Sequence, residues 1–177
     1  MKKVLLVVAL ISAAAVSSLA QTTTSSAGNE GGKFSIGADA ALPTGNESQV
    51  YSAGFGGSVK YEAPTAKNTF FTLSAGYESF LYKSEFKKSG FPSSDSFVPI
   101  KAGIKYYSDA GFFLEAQAGI SIYTGTDGFT SFAYSPGIGY SFKGGLEAAV
   151  RYEAWVKDGT FGQAAFRLAR VEKSIYG

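Results

Sequence analysis

The sequence contains no cysteine and no histidine. Without them the chain lacks disulfides, the usual ligands of zinc and copper sites, and the bases of Ser-His-acid and Cys-His catalysis. The composition therefore predicts that the protein is not an enzyme, with no catalytic residue, no metal site and no cofactor. A pair of interior carboxylates acting as acid and base remains the alternative, but salt bridges explain interior acids more simply.

Long apolar runs are also absent after the first twenty residues. Lys2 and Lys3 precede an apolar run at residues 4–16, which is too short to span a membrane as a helix, and small residues end at Ala20. This pattern predicts a signal peptide at residues 1–20 that is cleaved on export. A Thr-, Ser- and Gly-rich flexible segment is expected at residues 21–32, followed by one domain at residues 33–177.

The predicted mature chain has no excess charge. Removing Lys2 and Lys3 from the 16 basic residues leaves 14, which equals the 14 acidic residues. A neutral chain gives no electrostatic footprint for nucleic acid, so nucleic acid is not expected as a partner.

From residue 33 onward, apolar residues recur at every second position, which is typical of β-strands. A tilted strand needs about 10 residues to cross a membrane, whereas strands of soluble proteins are usually about half that length. Short and longer connections alternate between the runs. The pattern predicts an all-β fold, an eight-stranded antiparallel up-and-down transmembrane β-barrel, with strands at residues 34–42, 51–63, 70–80, 97–107, 112–123, 131–142, 146–156 and 161–170.

The residues assigned to the apolar faces carry no charge, and the charged residues of the opposite faces lie among many glycines. A solvent-facing surface does not need so many glycines, which weaken strands, but a narrow lumen does. We therefore expect this face to point inward and its charges to pair into a plug, with Glu147 and Glu153 as the neighbours of Arg151. The predicted lumen network comprises Asp39, Lys60, Glu62, Glu78, Lys101, Lys105, Glu115, Glu147, Arg151, Glu153 and Arg167.

Aromatic residues on the apolar face fall into two groups, as expected of belts at the two membrane interfaces. The alternative is that they form the core of a soluble sandwich. One group lies beside the short turns and the other toward the longer loops: Tyr61, Phe71, Tyr106, Phe112, Tyr140 and Phe142, and Tyr51, Tyr77, Phe132, Tyr134 and Tyr152, respectively. Trp155, near the loop end of the seventh strand, is expected to be structural.

One loop, at residues 81–95, combines aromatic and basic side chains. Projected outward, it could contact an anionic partner or lipid phosphates; a solvated loop without a partner is the alternative. The candidate contact residues are Tyr82, Lys83, Phe86, Lys87, Lys88 and Phe91.

Three segments resemble the small outer membrane β-barrel family typified by OmpA and OmpX. They are FSIGADAALPTG (34–45), VPIKAGIKYYSDAGFFLEAQAGISIY (98–123) and FRLA (166–169), and the resemblance covers about residues 34–170. It implies the cell outer membrane as the location, outer membrane lipid as a partner, and insertion by the barrel-assembly machinery. Members usually end on an aromatic residue that this machinery recognises; here residues 171–177 follow the last predicted strand, so that signal is displaced or absent.

Three functions are compatible with the sequence. The leading hypothesis is a structural or surface-interaction barrel with a plugged polar lumen and a surface partner that the sequence does not identify. The second is a narrow, porin-like channel, disfavoured because side chains fill the interior of an eight-stranded barrel. The third is a soluble periplasmic ligand-binding barrel, which needs the opposite orientation of the two faces.

Overall fold

Eight antiparallel strands make up nearly all of the computed structural model, which describes residues 31–85, 93–125 and 128–173. A single helical turn, α1 (Glu47–Val50), joins the first two strands. The predicted signal peptide and most of the predicted flexible segment lie outside these residues. The strands are β1 (Lys33–Thr44), β2 (Tyr51–Ala66), β3 (Thr69–Tyr82), β4 (Ser94–Tyr107), β5 (Phe112–Tyr123), β6 (Thr130–Phe142), β7 (Leu146–Val156) and β8 (Thr160–Lys173).

The sheet closes on itself because β1 pairs with both β2 and β8, while the other strands pair in chain order. Asp39 marks the closure, since it lies opposite Gly56 on one side and opposite Arg167 on the other. Every strand thus has two hydrogen-bonded neighbours, and none of the eight described strands leaves a sheet edge exposed. The predicted eight-stranded antiparallel up-and-down barrel is confirmed.

Tight turns close one end of the barrel, at residues 67–68, 108–111 and 143–145. In the last of these, Gly144 and Gly145 adopt φ values of 97° and 82°, a conformation that side chains rarely tolerate. We call this the turn end and the opposite one the loop end. No helix among the described residues is long and apolar enough to span a membrane.

The outward face of the barrel is apolar. Among the described strand residues, it carries charge only at Arg170 and Glu172, which pair with each other at 3.0 Å near the turn end. The large hydrophobic side chains exposed on this face are Phe34, Ile36, Leu42, Phe55, Val59, Tyr77, Leu81, Ile104, Tyr106, Phe112, Leu114, Ile120, Phe132, Tyr134, Ile138, Phe142, Leu146, Val150, Tyr152, Phe166 and Leu168.

The predicted place of Tyr51 on the outer aromatic belt is wrong. A register shift between Tyr51 and Ala53, where β2 meets β3, breaks the alternation at the start of the strand. The Tyr51 ring lies beside the buried ring of Phe80, with 6.1 Å between ring centroids. A bulge of this kind reverses the face of every residue beyond it, so alternation counted from the middle of the strand fails there.

Glycines on the inward face leave space for aromatic rings. A Cβ added to Gly54 would lie 2.5 Å from the Phe80 ring, and one added to Gly139 would lie 2.3 Å from the Phe113 ring. At Gly119 the obstacle is backbone, the carbonyl oxygen of Ile100 at 2.1 Å. The glycines thus accommodate rings and close strand contacts in addition to charged side chains.

Candidate functional site

The barrel interior is the candidate site, and the structure places all of the predicted lumen residues on its inward face. Nine of them are buried: Asp39, Lys60, Glu62, Glu78, Lys101, Lys105, Glu147, Glu153 and Arg167. The remaining two, Glu115 and Arg151, have side-chain exposures of 10% and 12%. The alternation along each strand explains this, because it sends every second side chain inward.

Near the turn end, one lysine bridges two strands. The Lys105 ammonium group lies 2.7 Å from carboxylate oxygens of both Glu62 and Glu147. The Tyr107 hydroxyl donates to the same two carboxylates, at 2.9 and 2.6 Å. These four side chains come from β2, β4 and β7, so their contacts join opposite walls of the barrel.

In the middle of the barrel, the two basic side chains have different partners. Lys60 forms an ion pair with Glu115, at 2.5 Å. Arg167 instead donates to the hydroxyl oxygens of Ser58 and Ser35, at 2.9 and 3.3 Å. Ser58 in turn donates to Asp39, which connects the Arg167 guanidinium to a carboxylate through a hydroxyl group.

Toward the loop end, Arg151 is surrounded by three carboxylates. Its guanidinium nitrogens lie 2.8 Å from Asp39, 3.1 Å from Glu78 and 2.9 Å from Glu153. Lys101 also contacts Glu153, at 2.5 Å. Because these partners come from β1, β3, β4 and β7, this cluster spans the lumen.

The predicted neighbours of Arg151 are therefore half right. Glu153 binds it as expected, but the prediction for Glu147 is wrong. Glu147 lies four residues away along β7, which is about 13 Å in an extended strand, and it binds Lys105 instead.

Aromatic rings cover the charges at the loop end. The outer aromatic layer consists of Phe80, Phe97, Trp155 and Phe161. Centroids lie 4.7 Å apart for Phe97 and Trp155 and 5.2 Å apart for Trp155 and Phe161. The Trp155 indole N–H donates to Glu153 at 2.8 Å, which fixes this layer to the charged cluster below. The predicted structural role of Trp155 agrees with this packing.

A second set of rings covers the charges at the turn end. The inner aromatic layer consists of Phe70, Tyr107 and Phe113, whose neighbouring centroids lie 5.4 and 5.5 Å apart. The Lys33 ammonium group lies 4.0 Å from the centroid of Phe70 and 4.3 Å from that of Tyr107. Such cation–π contacts hold the start of β1 against the layer.

The space left between the two layers is small. A cavity of about 30 Å³ lies among the charged side chains, large enough for only a few water molecules. It is lined in part by Glu115 and Ser135, whose Oε1 and Oγ atoms are buried without a hydrogen-bond partner among the described residues. No group of three or more Asp or Glu in the described part of the chain could hold a metal ion.

Asp95 organises the rim above the outer aromatic layer. The hydroxyl groups of Tyr51 and Tyr82 donate to one of its oxygens, at 2.5 and 2.6 Å, and Tyr123 donates to the other at 2.8 Å. The sequence pattern did not indicate this cluster, because Asp95 precedes the predicted start of the fourth strand at residue 97 and lies in the predicted loop at residues 81–95. The alternation of inward and outward residues could have indicated it. Asp95 precedes Phe97 by two residues and therefore lies on the same inward face of β4.

Replacing Asp95 with alanine should lower the free energy of unfolding by about 2 kcal/mol, since three hydroxyl donors lose a charged acceptor. The chain has one tryptophan, so its fluorescence during urea unfolding of the detergent-folded protein measures this change. Asp109→Ala is the control, because Asp109 is exposed at a tight turn, where it accepts a hydrogen bond from Asn68. Equal stability of the two variants would contradict a structural role for the Asp95 cluster.

The predicted outer-loop contact set is only partly described. Tyr82 ends β3 and its hydroxyl belongs to the Asp95 cluster. Lys83 donates its backbone N–H to the carbonyl of Val50, at 3.0 Å, which ties this loop to α1. Phe86, Lys87, Lys88 and Phe91 lie outside the described residues.

Comparison with known proteins gives similarity in fold but not in sequence. No protein-family model matches the chain, and no curated protein matches it. Ail, the attachment invasion locus protein of Yersinia pestis, superposes with a TM-score of 0.57 at 14% identity, over 80% of this chain and 98% of Ail.

Two further solved structures are similar. The N-terminal β-barrel domain of Pseudomonas aeruginosa OprF has a TM-score of 0.54 at 12% identity, over 79% of this chain and 97% of that domain. Neisserial surface protein A has a TM-score of 0.53 at 12% identity, over 82% of this chain and 98% of that protein. The chain therefore has the fold of the small eight-stranded outer membrane β-barrels.

Proposed function

We propose that this chain is an outer membrane β-barrel with a plugged polar lumen that acts as a structural or surface-interaction protein. It reaches the outer membrane after export with a cleaved signal peptide and insertion by the barrel-assembly machinery. The observation that carries the proposal is the contrast between the two faces of the barrel. The outward face is apolar, and the inward face is charged.

The outward face supports the membrane location. Soluble monomers rarely expose contiguous apolar patches larger than a few hundred Å². Here the exposed apolar side chains occur on all eight strands, and outward charge in the described strands is confined to the Arg170–Glu172 pair. A soluble periplasmic ligand-binding barrel needs the opposite arrangement, with charges outside and a cavity inside.

The interior supports the plug. The charged clusters are joined across the lumen by ion pairs and are covered at both ends by the inner and outer aromatic layers. An ion entering from either end meets aromatic rings and then charges that are already paired, and leaving water for such an interior costs an ion several kcal/mol. The narrow-channel alternative is therefore disfavoured.

The surface role is supported by the loop end. A barrel without a sheet edge, closed by the Asp95 cluster, presents its outer loops on a rigid base. Functional contacts of proteins concentrate on loops held by such scaffolds. The interior offers no histidine or cysteine for catalysis, and we assign the protein no enzymatic role.

Planar-bilayer recording of the purified, folded protein tests the plug. We expect conductance at the background level, because both ends of the lumen are filled. As a matched control, Trp155→Ala together with Phe80→Ala removes half of the outer aromatic layer but leaves the ion pairs in place. Frequent, stable, ion-selective openings of the parent protein would show that the lumen is a channel and is not plugged.

Membrane fractionation tests the location separately. The mature protein should remain with the outer membrane after urea extraction, and its folded form should migrate differently on gels before and after boiling. Release as a soluble protein that folds without an amphiphile would favour the periplasmic ligand-binding barrel.

A further inference from the structure

Between the two aromatic layers, the lumen network holds six acids and five bases. They are Asp39, Glu62, Glu78, Glu115, Glu147 and Glu153, and Lys60, Lys101, Lys105, Arg151 and Arg167. Toward the turn end, each acid lies 2.7 Å or less from a lysine: Glu115 from Lys60, and Glu62 and Glu147 from Lys105. Arg167 lies between the two ends, since it donates to Ser58, which donates to Asp39. One negative charge of the network is therefore uncompensated, and the acids toward the loop end, Asp39, Glu78 and Glu153, are the candidates to carry it.

An uncompensated charge in this position is expensive. Asp39, Glu78 and Glu153 are all buried, and an ionised carboxylate without a counter-charge in such surroundings costs several kcal/mol. The proposed plug excludes bulk water and hydrated counter-ions from this space. The simplest neutralising ligand for a closed space is a proton.

The hydrogen bonds indicate which acid carries the proton. Glu153 accepts from Lys101, Arg151 and Trp155. Asp39 accepts from Arg151 at 2.8 Å and from Ser58 at 2.5 Å.

Glu78 is the least satisfied of the three as an anion. It accepts from Arg151 at 3.1 Å on one oxygen, while its other oxygen has only a long contact of 3.4 Å with the Gln163 amide nitrogen. A carboxylate with weak donors gains most from being neutral.

Gln163 supplies the second observation. Its side chain is fully buried, and its amide oxygen has no hydrogen-bond partner within the part of the chain that the structure describes. A protonated Glu78 offers the O–H donor that this oxygen lacks, after rotation of the amide that exchanges its oxygen and nitrogen.

We infer that Glu78 is a buried proton-binding site, neutral in the folded protein and hydrogen-bonded to Gln163. The charged groups around it are Arg151 and Glu153 on β7, Asp39 on β1 and Lys101 on β4. With one proton bound, the network between the two aromatic layers holds five positive and five negative charges. The inference rests on the proposed plug, since an open lumen would admit a counter-ion.

Proton binding makes the stability of the barrel depend on pH. There is a range of pH in which the unfolded chain has lost the proton of this glutamic acid while the barrel still holds it. In this range the folded state binds one more proton than the unfolded state. The folding equilibrium constant then falls by about tenfold for each pH unit of increase. Below this range both states are protonated, and the dependence on this group disappears.

Infrared spectroscopy of the detergent-folded protein tests the proton directly. The parent at neutral pH should show the C=O stretching band of a protonated carboxyl group, which Glu78→Gln removes. Glu172→Gln should retain the band, since Glu172 is exposed on the outside of the barrel. Loss of the band on raising the pH of the parent, and its return on acidification, tests the same point without a variant. Absence of the band in the parent would overturn the inference.

Urea unfolding at a series of pH values gives a second, independent test. The stability of Glu78→Gln relative to the parent should increase as pH rises, by up to about tenfold in the folding constant per pH unit. A variant less stable than the parent by the same factor at every pH would show that Glu78 is ionised. If sodium chloride but not choline chloride stabilised the parent, and the carboxyl band were absent, a bound cation and not a proton would neutralise the charge.

Single-channel recording on the same preparation separates this inference from the plug. No openings and no carboxyl band would overturn proton binding alone. Openings without the band would overturn both the plug and the proton site.

Discussion

Replacing Arg151 with alanine is expected to lower the free energy of unfolding by about 3–5 kcal/mol, the usual cost of leaving buried charges unpaired. The Arg151 guanidinium contacts Asp39, Glu78 and Glu153, each within 3.1 Å. Its removal leaves the Asp39 carboxylate without an ion pair at 4.0 Å or less among the described residues and takes from Glu78 its hydrogen-bond donor at 3.1 Å. Urea unfolding in detergent micelles, followed by fluorescence of Trp155, measures the change, because Trp155 binds the same cluster through Glu153.

Arg167→Ala is the matched control for this prediction. Both arginines lie inside the barrel, but Arg167 donates to Ser35 and Ser58 where Arg151 binds carboxylates. Its loss should therefore cost less, on the order of the 1–3 kcal/mol expected when buried hydrogen bonds are left incomplete. Arg151→Lys keeps the positive charge but loses the guanidinium group that contacts several carboxyl groups at once. Its free energy of unfolding should lie between those of the parent and Arg151→Ala. If Arg151→Ala were no less stable than Arg167→Ala, the contacts of Arg151 with three carboxyl groups would not be what holds the lumen together.

The alternation of residue types was sufficient to predict the barrel, because each strand crosses with one apolar and one charged face. The bounds of β5 and β7 agree with the structure, and the other strands extend one to three residues beyond their predicted ends. At β4, for example, residues 94–96 pair with β3 before the predicted start at Phe97. Polar residues at strand ends resemble loop residues in sequence, so periodicity alone makes the predicted strands too short.

The interior partners could not be predicted in the same way. Lys101 binds Glu153 and Lys105 binds Glu62, although 52 and 43 residues separate them in the chain. Which side chains meet across a lumen depends on how far the strands are staggered, and alternation within one strand carries no information about stagger. Proximity along β7 therefore suggested Glu147 for Arg151, while the staggered walls bring Lys105 to Glu147.

The aromatic layers were missed for a different reason. Phe80, Phe97 and Phe161 stand in phase with the charged face, but they lie at the ends of their predicted strands. The charges in the middle of each strand predict a charge network on that face, and the aromatic residues of the apolar face predict outer belts. The structure shows that the inward face changes from charged to aromatic near the loop end, where the cluster needs an apolar cover.

Ile138→Arg is expected to impair insertion into lipid and to destabilise the folded barrel by about 2–4 kcal/mol, the cost of an arginine near the bilayer midplane. Ile138 faces outward on β6, is 48% exposed, and lies between Leu114 and Val150 on the neighbouring strands. Aromatic side chains flank it toward both ends of β6, Phe132 and Tyr134 on one side and Tyr140 and Phe142 on the other. Folding yields into lipid vesicles, read from the gel shift between unboiled and boiled samples, measure the effect.

Phe34→Arg provides the matched control at the edge of the same face. Phe34 is 47% exposed and lies opposite Glu172 at the turn end, where an arginine reaches the interface and meets an acidic neighbour. Its cost should be about 0–1 kcal/mol, as for basic residues near the interfaces of other membrane barrels. A soluble barrel makes the contrary prediction, because water surrounds both positions and depth has no meaning. If Ile138→Arg and Phe34→Arg folded equally well in vesicles, the apolar face would not be in contact with lipid, and the assignment of the two faces to lipid and lumen would have to be abandoned.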